Sequence, residues 1–222
     1  MIRVFYIILF SLLINNELPN DVRWVRNSGE YKALCHQVYY QAKYKLNKKL
    51  GYNNFSLNIS NNNNYAVVMD LDETVLDNSE YQVNLFNKNE SFNIESWARW
   101  VRKEEAKLVP GAKGYIEFLR INNIQVIFIS NRMDERLQET KNNLKELGIF
   151  SEDDIYLLRK NKADKKNIRR NEIFTSTGRM KNFEKFIVIQ YLGDAMGDFK
   201  VNNFDKFGID QFIFPNPMYG KW

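Results

Sequence analysis

Tyr65-Ala66-Val67-Val68-Met69-Asp70-Leu71-Asp72-Glu73-Thr74-Val75-Leu76-Asp77-Asn78 is the stretch on which the reading of the whole chain turns. Tyr65 to Met69 is short, apolar and partly β-branched, the pattern of a buried strand, and it runs straight into two carboxylates one residue apart. Aspartate is depleted in strands and costly to bury, so two of them at the carboxyl end of an apolar run call for a cation to offset their repulsion. A divalent metal is the simplest candidate. Taken singly, Asp72 or Thr74 reads equally well as a cap for the segment that follows.

Working outward, other apolar runs end in the same style. Ile124 to Ile129 reads as a strand ending in Ser130-Asn131-Arg132, a hydroxyl followed by amides and a basic residue, which suits a phosphate oxygen. Ile155 to Leu158 is a third strand, leading into the basic cluster Arg159 to Lys166, whose plain reading is solvated surface. Phe186 to Leu192 is a fourth, opening into Gly193-Asp194-Ala195-Met196-Gly197-Asp198, which supplies carboxylates from a second strand end. Gln211 to Phe214 is a last short strand.

Helical patterns lie between these runs. Trp24 to Leu50 reads as one long helix, with Ser28 as an N-cap, Gly51 just past the end, and Tyr31, Leu34, Val38, Ala42 and Leu46 as its packing stripe. Asn61 to Asn64 form a polar loop before the first strand. Residues 78–109 carry helical patterning, notably Glu95 to Lys107, and read as a small helical cap over the site. Trp97 and Trp100, three apart, share one face of it, and packing is the simpler reading for Trp100. Further helices are expected from Val109 to about Ile121 and from Glu135 to Leu147, the latter ending at Gly148. Strands alternating with helices predict an α/β chain whose parallel sheet carries ligands on its carboxyl edge.

Length and composition agree. The 222 residues suffice for one sizeable α/β domain, and 44% hydrophobic with 27% charged residues is a globular balance. The formal charge of +5 is spread along the chain and favours anionic substrates such as phosphates. No zinc-finger spacing or arginine-rich arm points to a nucleic-acid partner, and none is expected. The only cysteine, Cys35, and the only histidine, His36, exclude several chemistries. His36 lacks the Arg-His-Gly context of a histidine phosphatase, Cys35 has Gln41 where a cysteine phosphatase needs arginine, and the Gly-x-Ser-x-Gly elbow is absent. No Cys/His zinc site can be assembled. Residues 1–20, with Arg3 before an apolar run from Val4 to Ile14, read as a signal peptide or N-terminal anchor, too short to span a bilayer comfortably. No small-x-small cleavage site follows, so a buried N-terminal element of a cytoplasmic protein stays open as the alternative. Residues 21–222 form the catalytic domain in this reading.

Asp-x-Asp-Glu-Thr-Val-Leu-x-Asn, with Tyr81 soon after, resembles the first motif of the haloacid dehalogenase (HAD) superfamily and, within it, the class C acid phosphatases. Ser130 matches the second motif and Gly193-Asp194-x-x-x-Asp198 the fourth. The third is a lysine spaced as Lys-x-x-Lys after Leu-Leu, which matches Lys162 and Lys165; the role is placed on Lys165, with Lys162 and Lys166 as alternatives. Where the family usually has an arginine three residues later, this register gives Ile168, with Arg169 next door. Ala195 stands where relatives often carry a polar residue. The ending Pro215-Asn216-x-x-Tyr219-Gly220-x-Trp222 and the opening helix also resemble the family.

The resemblance implies a HAD-like Rossmannoid fold, helices on both faces of the sheet, and Mg²⁺-dependent hydrolysis of phosphomonoesters, nucleoside 5′-monophosphates included, through an aspartyl-phosphate. In that scheme Asp70 is the nucleophile and Asp72 the acid and base. Ser130 and Lys165 hold phosphoryl oxygens, Asn131 and Arg132 contact substrate, and Trp97 and Tyr219 stack on a base. Asp70, the backbone carbonyl of Asp72, Asp194 and Asp198 hold or orient the metal. It implies an exported protein of the periplasm or cell surface, with membrane attachment through the N-terminus and oligomer formation both compatible. A non-catalytic surface or storage protein on the same fold and a polynucleotide-end phosphatase are the competing readings.

Overall fold

The strand Tyr65–Met69 (β1) lies at the centre of a five-stranded sheet. The computed structural model describes residues 17–51, 64–200 and 203–220. Residues 1–16, most of the expected signal segment, and Trp222 of the C-terminal motif lie outside them, as do Asn61 to Asn63 of the polar loop.

The helices Asn20–Asn27 (α1) and Gly29–Lys49 (α2) precede β1. After it come the two-residue strand Leu76–Asp77 (β2), helices Ser79–Asn87 (α3) and Ile94–Lys103 (α4), Lys107–Leu108 (β3), which pairs antiparallel with β2, and helix Ala112–Ile121 (α5). Then Gln125–Met133 (β4), Leu137–Glu146 (α6), Ile155–Arg159 (β5), Lys166–Thr175 (α7), Ile187–Gly193 (β6) and Gln211–Ile213 (β7) complete the chain. The sheet order is β5-β4-β1-β6-β7 and every pairing is parallel. The chain leaves β1 for β4 on one side and later returns to β6 on the other, so the strand order reverses beside β1, where open α/β sheets bind their ligands.

Alternation along β1 divides the core. Val67 and Met69 face a cluster containing Tyr39, Leu46, Tyr115, Ile116 and Leu119 from α2 and α5, while Ala66 and Val68 face Ile129, Leu157 and Ile173 on the other side. Helices therefore cover both faces. Among the described residues no helix is long and apolar enough to cross a membrane.

The expected single helix from Trp24 to Leu50 is two. Ser28 adopts extended backbone between α1 and α2, and its hydroxyl accepts the Tyr31 amide at 3.0 Å, so the cap that starts the second helix also ends the first. The buried stripe of α2 is Tyr31, Cys35, Tyr39, Ala42 and Leu46; Leu34, expected inside, is 40% exposed. Tyr39 gains its place by donating its hydroxyl to the Thr74 carbonyl at 2.5 Å, which ties α2 beneath the turn after β1.

Candidate functional site

The turn after β1 brings two acids together. The Leu71 carbonyl accepts the amides of Thr74, Val75 and Leu76 in a single tight turn, Leu71 is fully buried, and Glu73 takes a left-handed φ of 55°. Asp70 and Asp72 therefore stand at the same strand end with different surroundings. Asp70 belongs to a charged group. Its carboxylate, with those of Asp194 and Asp198, offers oxygens within 4.8 Å of one another, contributed by β1 and by the loop after β6. Lys166 Nζ lies 2.8 Å from Asp70 Oδ1 and also donates to Asp198 Oδ1. Asp198 Oδ2 accepts the Ala195 amide at 3.0 Å, and Asn216 donates to Asp194 Oδ2 at 2.8 Å. Gly193 closes this corner: a Cβ there would overlap the Asp198 side chain.

The electrostatics follow from burial. Burial pushes the Asp70 carboxyl well above the usual carboxylate range; Lys166 opposes that, and Asp198, Asp194 and Asp72 add like charge. Burial, then Asp198, raises Asp194 to about 6 against the Asn216 hydrogen bond and Lys166. Burial alone would lower the Lys166 ammonium, but Asp70 and Asp198 more than offset this and lift it above its ordinary range. One ammonium faces three converging carboxyls in a shielded corner, so ionising all three together calls for further positive charge. Hard oxygen donors from two strand ends fit a small divalent cation such as Mg²⁺.

Asp72 belongs to a hydrogen-bonded group. Its Oδ1 accepts Arg132 Nε at 2.9 Å and Asn78 Nδ2 at 3.0 Å, and its Oδ2 accepts the Ser130 hydroxyl at 3.2 Å. Its carboxyl is not one of the three clustered oxygens. Glu73, fully buried, accepts the Asn78 amide at 2.9 Å and its Nδ2 at 3.3 Å; burial, then Asp72 and Asp194, raise its carboxyl well above the ordinary range.

The expected site residues fall unevenly. Asp70, Asp72, Ser130, Asp194 and Asp198 gather at the carboxyl edge. Lys165 does not join them: it is the exposed N-cap of α7, and the ammonium that reaches the carboxylates belongs to Lys166, one residue on. With Lys166 in that position, Arg169 falls three residues later and the apparent departure at Ile168 disappears. Arg169 is fully buried and donates to the Ser130 and Leu157 carbonyls and to Asn131 Oδ1, tying α7 to β4 and β5.

Asn131 is exposed while Arg132 is 2% exposed, because the β4–β5 register shifts between Ser130 and Met133 and re-aims the side chains there. Expected as a substrate contact, Arg132 is instead occupied by Asp72, Asn78 and Thr140. Trp97 is half-buried against Tyr81 and Phe92, with ring centroids 5.1 and 6.5 Å away, and Tyr219 is 36% exposed on the C-terminal tail. Trp100, expected to be mere packing, also donates Nε1–H to Asn78 Oδ1 at 2.9 Å. Glu73, Asn78, Arg169 and Asn216 carry no role in the reading from sequence, and Lys166 stands there only as an alternative to Lys165, although each lies in or beside a quoted motif.

A profile of the HAD superfamily, subfamily IIIB (acid phosphatase), matches residues 12–222. The chain belongs to that family. Two structures of the class C acid phosphatase from Bacillus anthracis are similar throughout. One, with tungstate bound, superposes with a TM-score of 0.78 at 26% identity over 93% of this chain and 86% of that one. The other gives 0.76 at 28% identity over 90% and 84%. The stem 31 kDa glycoprotein of Glycine max is 26% identical over 162 residues, 70% of this chain, and the match spans 59% of that protein's length. The two superposed structures share this chain's α/β fold.

Proposed function

We propose that the protein is a Mg²⁺-dependent acid phosphatase that hydrolyses phosphomonoesters, nucleoside 5′-monophosphates among them, through an aspartyl-phosphate. The observation that carries this reading is the convergence of Asp70, Asp194 and Asp198 beside Lys166, with the separately held Asp72 two residues from Asp70. Asp70, Asp194 and Asp198, with the backbone carbonyl of Asp72, would hold Mg²⁺, which when bound supplies positive charge to the phosphoryl oxygens.

The protein's own residues then divide the work. An Asp70 carboxylate oxygen bonds to phosphorus as the ester P–O bond breaks, and Asp72 gives its proton to the departing alkoxide, releasing the alcohol. In the second half Asp72, now a carboxylate, takes a proton from water as that water attacks phosphorus; the P–O bond to Asp70 breaks and inorganic phosphate leaves. Since Asp72 Oδ1 already accepts two donors, the transferable proton sits on Oδ2, beside the Ser130 hydroxyl. Ser130 and Lys166, in place of Lys165, stabilise the phosphoryl oxygens electrostatically. The match to an acid phosphatase profile supports an optimum below neutral pH.

The segment carrying α3 and α4 serves as a cap, and its Trp97, with Tyr219, offers ring faces to a nucleobase, worth roughly 1–3 kcal/mol for a stacked base. The tungstate-bound relative supports a tetrahedral oxyanion as the ligand. The basic-then-apolar start supports export. The test is hydrolysis of a chromogenic phosphomonoester and a nucleoside 5′-monophosphate before and after chelation. Activity at acidic pH, lost with chelator and restored by Mg²⁺, is expected; full activity in excess chelator removes the metal from this reading.

A further inference from the structure

Arg132 does something that phosphate binding does not account for. Its side chain is 1% exposed and all three of its nitrogens have partners: Nε with Asp72 Oδ1 at 2.9 Å, Nη2 with Asn78 Oδ1 at 3.2 Å and Nη1 with Thr140 Oγ1 at 3.4 Å. The guanidinium carbon also lies 5.8 Å from the centroid of the Trp97 ring. Asn78 mirrors this arrangement. Its Nδ2 donates to the same Asp72 oxygen at 3.0 Å, while its Oδ1 accepts both Arg132 and Trp100 Nε1. Two side chains thus join the Asp72 carboxyl to both tryptophans of α4.

We infer that Arg132 and Asn78 are positioning residues that clamp the Asp72 carboxyl and fix it against α4, so that Arg132 acts on the proton transfer to the leaving group and not on phosphate binding. The inference rests on the hydrolase reading with Asp72 as acid. A planar guanidinium reaches Asp72 and Asn78 together in one fixed fork, whereas the single ammonium of lysine cannot hold that geometry. Asp72 freed to rotate loses the alignment that delivers its proton. The loss falls on esters whose leaving group needs that proton.

The test compares kcat/KM for an alkyl phosphomonoester, glycerol phosphate, with that for p-nitrophenyl phosphate, whose phenolate departs unprotonated. Arg132→Lys is expected to lose about 10²-fold on the alkyl ester and less than about 10-fold on the aryl ester, with the alkyl loss in kcat. Trp100→Phe keeps an aromatic ring but removes the donor to Asn78; it is expected to show the same ordering with a smaller loss, and it carries the test if Arg132→Lys does not fold. Equal losses on both esters, as a general structural role gives, overturn the inference. So does a loss carried by KM on both, as direct phosphate contact gives. A wild-type protein inert towards both esters removes the hydrolase reading itself; an active wild type with flat variants removes the clamp alone.

Discussion

Asp70 and Asp72 are two residues apart, yet they anchor halves of one site built on opposite principles. Around Asp70 the partners are charges: two more carboxylates and one ammonium, with burial driving Asp70 and Asp194 above the usual carboxylate range. Around Asp72 the partners are directional donors, the Arg132 guanidinium, Asn78 and Ser130, and the one cation among them is paired with the one carboxylate. The difference teaches that the first half is left electrostatically incomplete by its own side chains, while the second is assembled by them. In the proposed reaction the first half takes positive charge from a bound cation, while proton transfer in the second needs a fixed angle.

Asp70→Asn puts the comparison under the heaviest strain. It keeps the shape but removes the oxygen proposed as nucleophile, so turnover of a chromogenic phosphomonoester is expected to fall by about 10³-fold or more. Retained turnover would show that the charged half is not where bonds change. The next test separates neighbouring lysines. Lys166→Met is expected to lower kcat by about 10²-fold, while Lys165→Met stays near the wild-type rate, since only the former removes a charge from the carboxylate group. Matching losses would break the assignment made from geometry.

The smallest effect concerns the base that carries Lys166. Arg179 donates to Glu172 at 2.6 and 3.0 Å and also to Asp164, in front of α7. The Arg179 hydrogen bond, the leading cause, holds the Glu172 carboxyl below its ordinary 4.5. A lowered folded-state pKa contributes stability that is present above 4.5 and is lost as pH falls through the folded value. Glu172→Gln should therefore cost about 1–3 kcal/mol in urea unfolding at neutral pH, with the gap to wild type narrowing in strong acid. A gap independent of pH would show that packing, not charge, holds this brace.

How far the molecule was legible in its sequence differs between the same two halves. β1 was read at both ends because five apolar residues meet aspartate without ambiguity. The carboxylates were legible for the same reason, since acids at strand ends contradict strand preference and so mark a site. Lysine register was not legible: Arg159, Lys160, Lys162, Lys165 and Lys166 are chemically alike, and only the start of α7 at Lys166 decides which one turns inward. The polar sequence of that helix carries little apolar rhythm to mark it. The partners of Arg132 are hidden from the sequence for a related reason. A cation after Ser130 suggests an incoming anion, but the register shift in β4 that buries it against Asp72 leaves no mark in residue type. The long N-terminal helix was over-extended because the Ser28 cap interrupts a rhythm that continues across it.

Gly193 gives one more reason to look beyond the reactive groups. Even a methyl group there would collide with Asp198, so a position with no functional atoms of its own should tolerate substitution as poorly as the acids do. In a saturation library selected for activity, alanine at 193 would drop out alongside changes at Asp194 and Asp198, a vulnerability created by crowding alone.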